Sequence, residues 1–179
     1  MKESNMEKMN VGWIGTGVMG NAMCGHLIDA GHSLSVYNRT KSKSENLIAR
    51  GAQWCDSPDS VAADSDIVWS IVGFPADVER VLAGPQGALA GAKAGSILVD
   101  MTTSSPELAG RIYGMAKQKG VAALDAPVSG GDIGAKNATL AIMVGGDRDA
   151  YEKVSPLFQC MGENIALMGE AGAGQHTKM

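Results

Sequence analysis

Short runs of apolar residues alternate with longer segments in which apolar residues recur every three or four positions. The short runs predict buried strands at residues 11–14, 34–37, 67–72, 97–100, 121–125, 140–144 and 165–168. The longer segments predict helices at residues 18–30, 41–50, 106–118 and 147–161, with a shorter helix that begins at Pro75. Because strands and helices alternate, we predict βαβ units that form a mostly parallel sheet with helices on both faces.

A glycine-rich turn joins the first predicted strand to the first predicted helix. Its residues, Gly15-Thr16-Gly17-Val18-Met19-Gly20, follow the pattern G-x-G-x-x-G, which in this context is the dinucleotide-binding fingerprint. Gly15 permits the tight turn, Gly17 lets the backbone approach a pyrophosphate, and Gly20 lets the helix pack closely on the strand. The first amides of the helix favour phosphate binding. The alternative is a purely structural glycine turn.

The residues after the second predicted strand indicate which dinucleotide binds. An acidic residue there hydrogen-bonds the ribose 2′-hydroxyl of NAD, whereas an arginine accommodates the 2′-phosphate of NADP. This chain has Asn38-Arg39-Thr40 and no Asp or Glu at that point. Arg39 can pair with the phosphate through two hydrogen bonds, and Asn38 and Thr40 can donate neutral ones. We predict NADP rather than NAD; an exposed arginine beside a turn is the alternative.

Composition limits the classes of function. The chain has 179 residues, a length typical of one domain, and 45% of them are hydrophobic, so one sizeable core can form. Its net charge of −4 argues against a nucleic-acid partner, and no apolar run is long enough to span a membrane. The start carries no secretory or transit signal, and three widely spaced cysteines predict neither a metal site nor a disulfide framework. We expect a cytoplasmic protein without a metal.

Hydroxyl groups, glycines and one lysine follow the later predicted strands. Residues 100–106 lie at the carboxyl end of a strand, where ligands bind in open α/β sheets. In residues 125–131, two glycines expose consecutive amides and Ser129 adds a hydroxyl, a set suited to a carboxylate. Lys178 lies near the predicted start of a helix, where it can give and take protons. The alternatives are a helix cap for residues 100–106, a plain turn for residues 125–131 and a solvated surface lysine for Lys178.

Five segments, in this order and spacing, resemble the β-hydroxyacid dehydrogenases. They are IGTGVMG at residues 14–20, DMTT at 100–103, DAPVSGG at 125–131, LAIMVGG at 140–146 and GAGQHTKM at 172–179. The family includes 3-hydroxyisobutyrate dehydrogenase, tartronate semialdehyde reductase and the glyoxylate/succinic semialdehyde reductases, with 6-phosphogluconate dehydrogenase as a more distant relative. The resemblance implies a Rossmann-type fold and a hydride transfer between NADP and a small β-hydroxy acid or its semialdehyde.

The same resemblance implies which residues act on the substrate. Lys178 corresponds to the catalytic lysine, which serves as general acid and base. Ser129, Gly130 and Gly131 correspond to the cradle for the substrate carboxylate. Thr103 corresponds to a hydroxyl that lies near both the nicotinamide and the substrate. The implied partner is therefore a small molecule that bears a carboxylate.

The resemblance also extends the list of residues that contact the cofactor. Val72, Gly73 and Asp77 match the loop that follows the strand at residues 67–72. The segment Asn38-Arg39-Thr40 matches the members of the family that prefer NADP.

The family continues beyond the lysine with a long interdomain helix and an all-helical domain, which completes the active site and supplies the dimer interface. We therefore predict a leader at residues 1–9, an NADP-binding domain at 10–170 and the start of a truncated interdomain helix at 171–179, with the C-terminal helical domain absent. We expect a homo-oligomer when full length, and no activity from this piece alone.

A non-catalytic NADP-binding module is the alternative from another class of function. It leaves Thr103, Ser129 and Lys178 unexplained. A semialdehyde or glyoxylate reductase fragment, inactive without its helical domain, is a further alternative. A relative that reduces imines is a third; such relatives typically replace the lysine, so Lys178 counts against it.

Overall fold

The computed structural model describes residues 7–179, so the first six positions of the predicted leader lie outside the described part. Within it, helices flank a single sheet. The strands are β1 (Asn10–Ile14), β2 (Ser33–Tyr37), β3 (Gln53–Trp54), β4 (Ile67–Ser70), β5 (Ile97–Asp100), β6 (Ala122–Asp125), β7 (Val128–Ser129), β8 (Leu140–Gly145) and β9 (Gly162–Gly169). The helices are α1 (Val18–Asp29), α2 (Glu45–Ala49), α3 (Pro58–Ala63), α4 (Pro75–Ala83), α5 (Ala88–Gly91), α6 (Pro106–Gln118), α7 (Gly131–Asn137), α8 (Arg148–Phe158) and α9 (Ala173–Lys178), and a 3₁₀ turn at Lys41–Ser44 precedes α2.

The strand order confirms the predicted doubly wound sheet. The order is β3-β2-β1-β4-β5-β6-β8-β7, and β9 also pairs with β8. The pairs from β3 to β6 are parallel, so that Trp13 in β1 lies opposite Val36 in β2 and Trp69 in β4. β8 runs antiparallel to β6 and β7 and parallel to β9. The order reverses between β1 and β4, and ligands of such sheets bind at that point, beyond the carboxyl ends of the strands.

Both faces of the sheet are buried, which is why its central strands are continuous apolar runs. On one face the rings of Trp13 and Trp69 stack at 5.9 Å, and Phe158 of α8 meets Trp69 edge to face at 5.2 Å. On the other face, Ile14 and Val68 belong to a second core cluster with residues of α3, α4 and α6. No helix within residues 7–179 is long and apolar enough to cross a membrane.

Some elements differ from the predictions. β3 and β7 contain two residues each, too few for apolar periodicity to reveal, and α7 occupies residues for which the sequence predicts no helix. The strand predicted at residues 67–72 ends at Ser70, because the Val72 amide instead donates to Thr102 Oγ1 at 3.0 Å. The strand predicted at 165–168 begins earlier, at Gly162, where it pairs with β8.

Candidate active site

The glycine turn between β1 and α1 has the geometry that a dinucleotide requires. Gly15 has a φ of 99°, in the left-handed region, and a Cβ added there would lie 2.0 Å from the Ile71 carbonyl oxygen. A Cβ added at Gly20 would lie 2.0 Å from the Gly15 carbonyl oxygen, whereas one added at Gly17 would meet no atom within 4 Å. The fold therefore requires Gly15 and Gly20, and the open space beside Gly17 at the start of α1 fits a diphosphate.

A cleft of about 500 Å³ opens beside this turn, a volume typical of cofactor sites. Thr16 and Gly20 are buried behind it, and Thr103 does not line it. The other residues that the sequence predicts to contact the cofactor all line it: Gly15, Gly17, Val18, Met19, Asn38, Arg39, Thr40, Val72, Gly73 and Asp77.

Asn38 holds the glycine turn in place. Its Oδ1 accepts a hydrogen bond from the Thr16 amide at 2.9 Å, and its Nδ2 donates to the Thr40 carbonyl oxygen at 2.9 Å. The Thr16 hydroxyl in turn contacts the Ser44 hydroxyl at 2.7 Å. The side-chain amide of Asn38 is thus engaged within the protein, so its main contribution is to shape the cleft wall.

Three basic side chains line the cleft, at Arg39, Lys43 and Arg80. Arg80 donates to the Asp77 carboxylate at 2.9 Å, and Asp77 also accepts from the Phe74 amide at 3.1 Å. Arg39 and Lys43 are exposed and form no ion pair with any residue in the part of the chain that the structure describes. Lys43 was not among the predicted site residues, although its position four residues after Arg39 was a usable signal.

A buried polar cluster lies next to the cleft, at the carboxyl ends of β4 and β5. Asp100 Oδ1 accepts from the Ser70 hydroxyl at 3.0 Å and from the Thr102 amide at 3.1 Å. Burial raises the pKa of Asp100 to about 6; the hydrogen bonds from Thr102 and Ser70 oppose this shift, and the charge of Asp125 adds to it. Thr102 also accepts from the Val72 amide, so the cluster is joined directly to the cleft lining.

Asp125, the last residue of β6, anchors the helix α9. Its Oδ1 accepts from the Gly172 amide at 2.7 Å, and its Oδ2 accepts from the Gln175 amide at 3.0 Å. The buried Gln175 side chain bonds to the loop after β5, where its Oε1 accepts from the Ser104 amide and its Nε2 donates to the Thr102 carbonyl oxygen, each at 2.8 Å. Neither role was predicted, because both depend on contacts between distant parts of the chain.

Lys178 at the end of α9 meets Ser129. The Lys178 ammonium donates to the Ser129 hydroxyl at 2.7 Å. Gly130 and Gly131 follow Ser129, both with positive φ, and all three are exposed at the start of α7. Thr103 is exposed on the loop that Gln175 contacts. The structure therefore brings Lys178 together with Ser129 and attaches Thr103 to the same helix through Gln175.

Comparison with known proteins identifies relatives over nearly the whole chain. The family described as the NAD binding domain of 6-phosphogluconate dehydrogenase matches residues 10–169. The uncharacterized oxidoreductase YkwC of Bacillus subtilis is 52% identical over 172 residues, which are 96% of this chain and 60% of that protein. The probable 3-hydroxyisobutyrate dehydrogenase-like 1, mitochondrial, of Arabidopsis thaliana is 54% identical over 170 residues, which are 94% of this chain and 51% of that protein. The chain thus spans between half and 60% of these relatives.

Solved structures share the fold. The 3-hydroxyisobutyrate dehydrogenase of Mycobacterium tuberculosis with L-serine superimposes with a TM-score of 0.90 at 32% identity, over 96% of this chain and 58% of that one. Psf3 in complex with NADP⁺ and 2-OPP gives 0.89 at 31% identity, over 94% and 59%. An imine reductase variant from Myxococcus stipitatus in complex with NAD⁺ gives 0.87 at 25% identity, over 96% and 58%. Similar folds therefore hold either nicotinamide dinucleotide.

Proposed function

The chain belongs to the family of the NAD-binding domain of 6-phosphogluconate dehydrogenase, and on that premise we propose that it is the cofactor domain of an NADP-dependent dehydrogenase for small β-hydroxy acids or their semialdehydes. The domain spans residues 10–170, and the following residues supply the catalytic lysine. One observation carries the proposal: the Lys178 ammonium lies 2.7 Å from the Ser129 hydroxyl at the sheet edge that also bears the glycine turn. A module that only bound a dinucleotide would have no need of this pair.

The choice of NADP rests on charge at the far end of the cleft. Arg39 and Lys43 line it as cations without a carboxylate partner among residues 7–179. Among residues 7–179, Asp77 is the only acidic side chain that lines the cleft, and it is paired with Arg80. A 2′-phosphate gains two charge-assisted contacts there, whereas a free 2′-hydroxyl meets no carboxylate acceptor of the kind that NAD sites provide.

Lys178 serves as the proton donor and acceptor. When bound, the nicotinamide supplies or accepts the hydride. During reduction of an aldehyde, Lys178 donates a proton to the developing alkoxide oxygen; during oxidation, neutral Lys178 accepts the hydroxyl proton. Ser129, as the acceptor of a hydrogen bond from Lys178, holds the ammonium in place.

The substrate carboxylate lies against Ser129, Gly130 and Gly131. All three residues are exposed at the start of α7, and the two glycines offer backbone amides to an anion without a side chain that would fill the space. Thr103 contributes its hydroxyl from the loop after β5. With the carboxylate fixed, the carbon that exchanges the hydride is held in one orientation, which lowers the entropic part of the barrier.

A fusion protein tests this proposal, because the chain spans only part of its relatives. Residues 1–179 are joined to the part of Bacillus subtilis YkwC that follows the matched region, and NADPH oxidation is followed with succinic semialdehyde, glyoxylate and tartronate semialdehyde. In this fusion, Lys178→Ala should lower kcat by about 10²–10⁴-fold, as expected for loss of a general acid, while the Kd for NADPH stays within about twofold because Lys178 lies outside the cleft lining.

The matched control is Lys136→Ala, which removes an exposed lysine from the surface of α7. It should leave both constants unchanged. Turnover retained in Lys178→Ala would overturn the proton role. A fusion that binds NADPH but does not oxidise it with any of the three substrates would favour the non-catalytic module.

A further inference from the structure

We propose that Gln175 is a positioning residue that sets the distance between Lys178 and Thr103. The inference deepens the proposed function and rests on it, because it concerns how the two groups are held in one geometry. Gln175 does not line the cleft, and its side chain bonds to Ser104 and Thr102, so we infer that it acts through its neighbours.

The Gln175 side chain is almost completely buried, at 1% exposure, and both of its polar atoms are used. Oε1 accepts from the Ser104 amide and Nε2 donates to the Thr102 carbonyl oxygen, each at 2.8 Å. These two groups flank Thr103 on either side. One side chain thus forms hydrogen bonds with the residues on both sides of Thr103 and holds the segment that carries its hydroxyl.

The same residue fixes the helix that carries Lys178. The Gln175 amide donates to Asp125 Oδ2 at 3.0 Å, next to the bond from the Gly172 amide to Oδ1. Gln175 and Lys178 are three residues apart on α9, so they are neighbours on the helix surface. A shift of the helix relative to the loop after β5 must therefore stretch the Gln175 contacts.

The loop after β5 depends on Gln175 for hydrogen bonds to two of its backbone groups. The Ser104 hydroxyl is buried and makes no hydrogen bond with any residue in the described part of the chain. Without Gln175, the Ser104 amide and the Thr102 carbonyl oxygen would lose their partners in a buried place, which is unfavourable. The loop would then shift so that water can hydrogen-bond to these two groups, and Thr103 would shift with it.

Gln175→Met separates this role from simple packing, since it keeps the side-chain volume and removes both hydrogen bonds. In the chain of 179 residues without a fusion partner, Gln175→Met should make amide hydrogen exchange at Ser104 about tenfold or more faster, while exchange at Trp69 in β4 changes much less. Gln175→Glu, which keeps the acceptor for the Ser104 amide, should protect Ser104 better than Gln175→Met does. The matched control is Gln118→Met, at an exposed position at the end of α6, which should change neither amide.

In the fusion described above, Gln175→Met should lower kcat by about 10- to 100-fold through misplacement of the reacting groups, with KM and the Kd for NADPH changed by less than about threefold. A purely structural role would instead weaken kcat, KM and the Kd for NADPH together. Unchanged Ser104 exchange, or unchanged kcat in a fusion whose unmodified form is active, would overturn the inference. If the fusion without substitutions is inactive, the proposed function is refuted, and the catalytic role of Gln175 is overturned with it. Hydrogen exchange then tests only the contact between Gln175 and Ser104.

Discussion

Arg39 is the side chain on which the proposed preference for NADP depends. It is exposed, lines the cleft and has no carboxylate partner within residues 7–179. Its functional meaning comes from its position at the end of β2, beside the glycine turn, because the same arginine elsewhere on the surface would be an ordinary solvated cation.

Arg39→Glu is expected to discriminate between the two dinucleotides. The new carboxylate would repel a 2′-phosphate and could accept a hydrogen bond from a free 2′-hydroxyl. The Kd for NADPH should rise about tenfold or more, and that for NADH should change by less than about threefold, as measured by fluorescence titration of the chain.

Arg148→Glu is the matched control, since it makes the same charge change at an exposed position on α8. It should leave both affinities unchanged. Equal weakening of NADPH and NADH by Arg39→Glu would remove the argument for a phosphate contact.

In the turn between β1 and α1, the glycines of one motif have different structural roles. The space around Gly17 is open, whereas the backbone oxygen of Gly15 stands where a Cβ of Gly20 would lie. The steric roles predicted for Gly15 and Gly20 agree with the structure, because they follow from local spacing, whereas ligand binding at Gly17 stays a prediction.

Gly17→Ala should accordingly weaken NADPH binding, whereas Gly20→Ala should lower the free energy of unfolding. Gly17→Ala should lower the free energy of unfolding by no more than about 1 kcal/mol, because the added Cβ meets no atom within 4 Å and only the weaker N-cap preference of Ala is lost. The same variant should weaken NADPH binding about tenfold or more. Gly20→Ala should lower the free energy of unfolding by about 1–3 kcal/mol through overpacking. Urea denaturation and NADPH titration of both variants provide the measurements, and similar behaviour of the two variants would contradict the division of roles.

At the scale of the whole molecule, the strand ends concentrate buried polar groups on one side of the sheet. Asp100 and Asp125 end neighbouring strands β5 and β6 and are opposite one another in the register. Both are buried, and both hold loops or helices that carry candidate site residues. Stability and site geometry are therefore linked through the same carboxylates.

This arrangement predicts that stability depends on pH through Asp100. Burial raises the pKa of Asp100 to about 6 in the folded protein, above its ordinary value of 3.8. The folded state then binds more protons than the unfolded state between about pH 4 and 6, so this contribution to stability is present below pH 4 and is lost as pH rises through about 6. At about 1.4 kcal/mol per pKa unit, the loss amounts to roughly 3 kcal/mol.

Asp100→Asn removes the titration and keeps an oxygen that accepts from Ser70 and Thr102. Relative to the unmodified chain, this variant should gain roughly 3 kcal/mol between pH 4 and 7 in urea denaturation. Asp64→Asn, at an exposed position, serves as the control and should show a nearly constant difference. Parallel curves for Asp100→Asn and the unmodified chain would contradict the prediction.

Much of the architecture could be predicted because it follows from local rules. Apolar runs of strand length mark β1, β4 and β5, and a glycine turn after the first of them marks the cleft, since both signals lie within a few consecutive residues. The two-residue strands β3 and β7 left no such signal. The helix α7 was also missed, because its N-cap Gly130 and its first residue Gly131 are glycines, which favour a turn.

The sequence by itself determined that this chain forms a sheet covered by helices, with a dinucleotide cleft beside Gly15-Thr16-Gly17-Val18-Met19-Gly20, because backbone sterics and apolar periodicity act between near neighbours. Only the tertiary structure decided that β8 runs antiparallel to β6. The same is true of the hydrogen bonds from α9 to Asp125 and of those between Gln175 and the residues on either side of Thr103. The contacts of Asp125 and Gln175 join positions 47 to 73 residues apart. Hydrogen bonds over such separations depend on the path of the whole chain and leave no periodic pattern in the sequence.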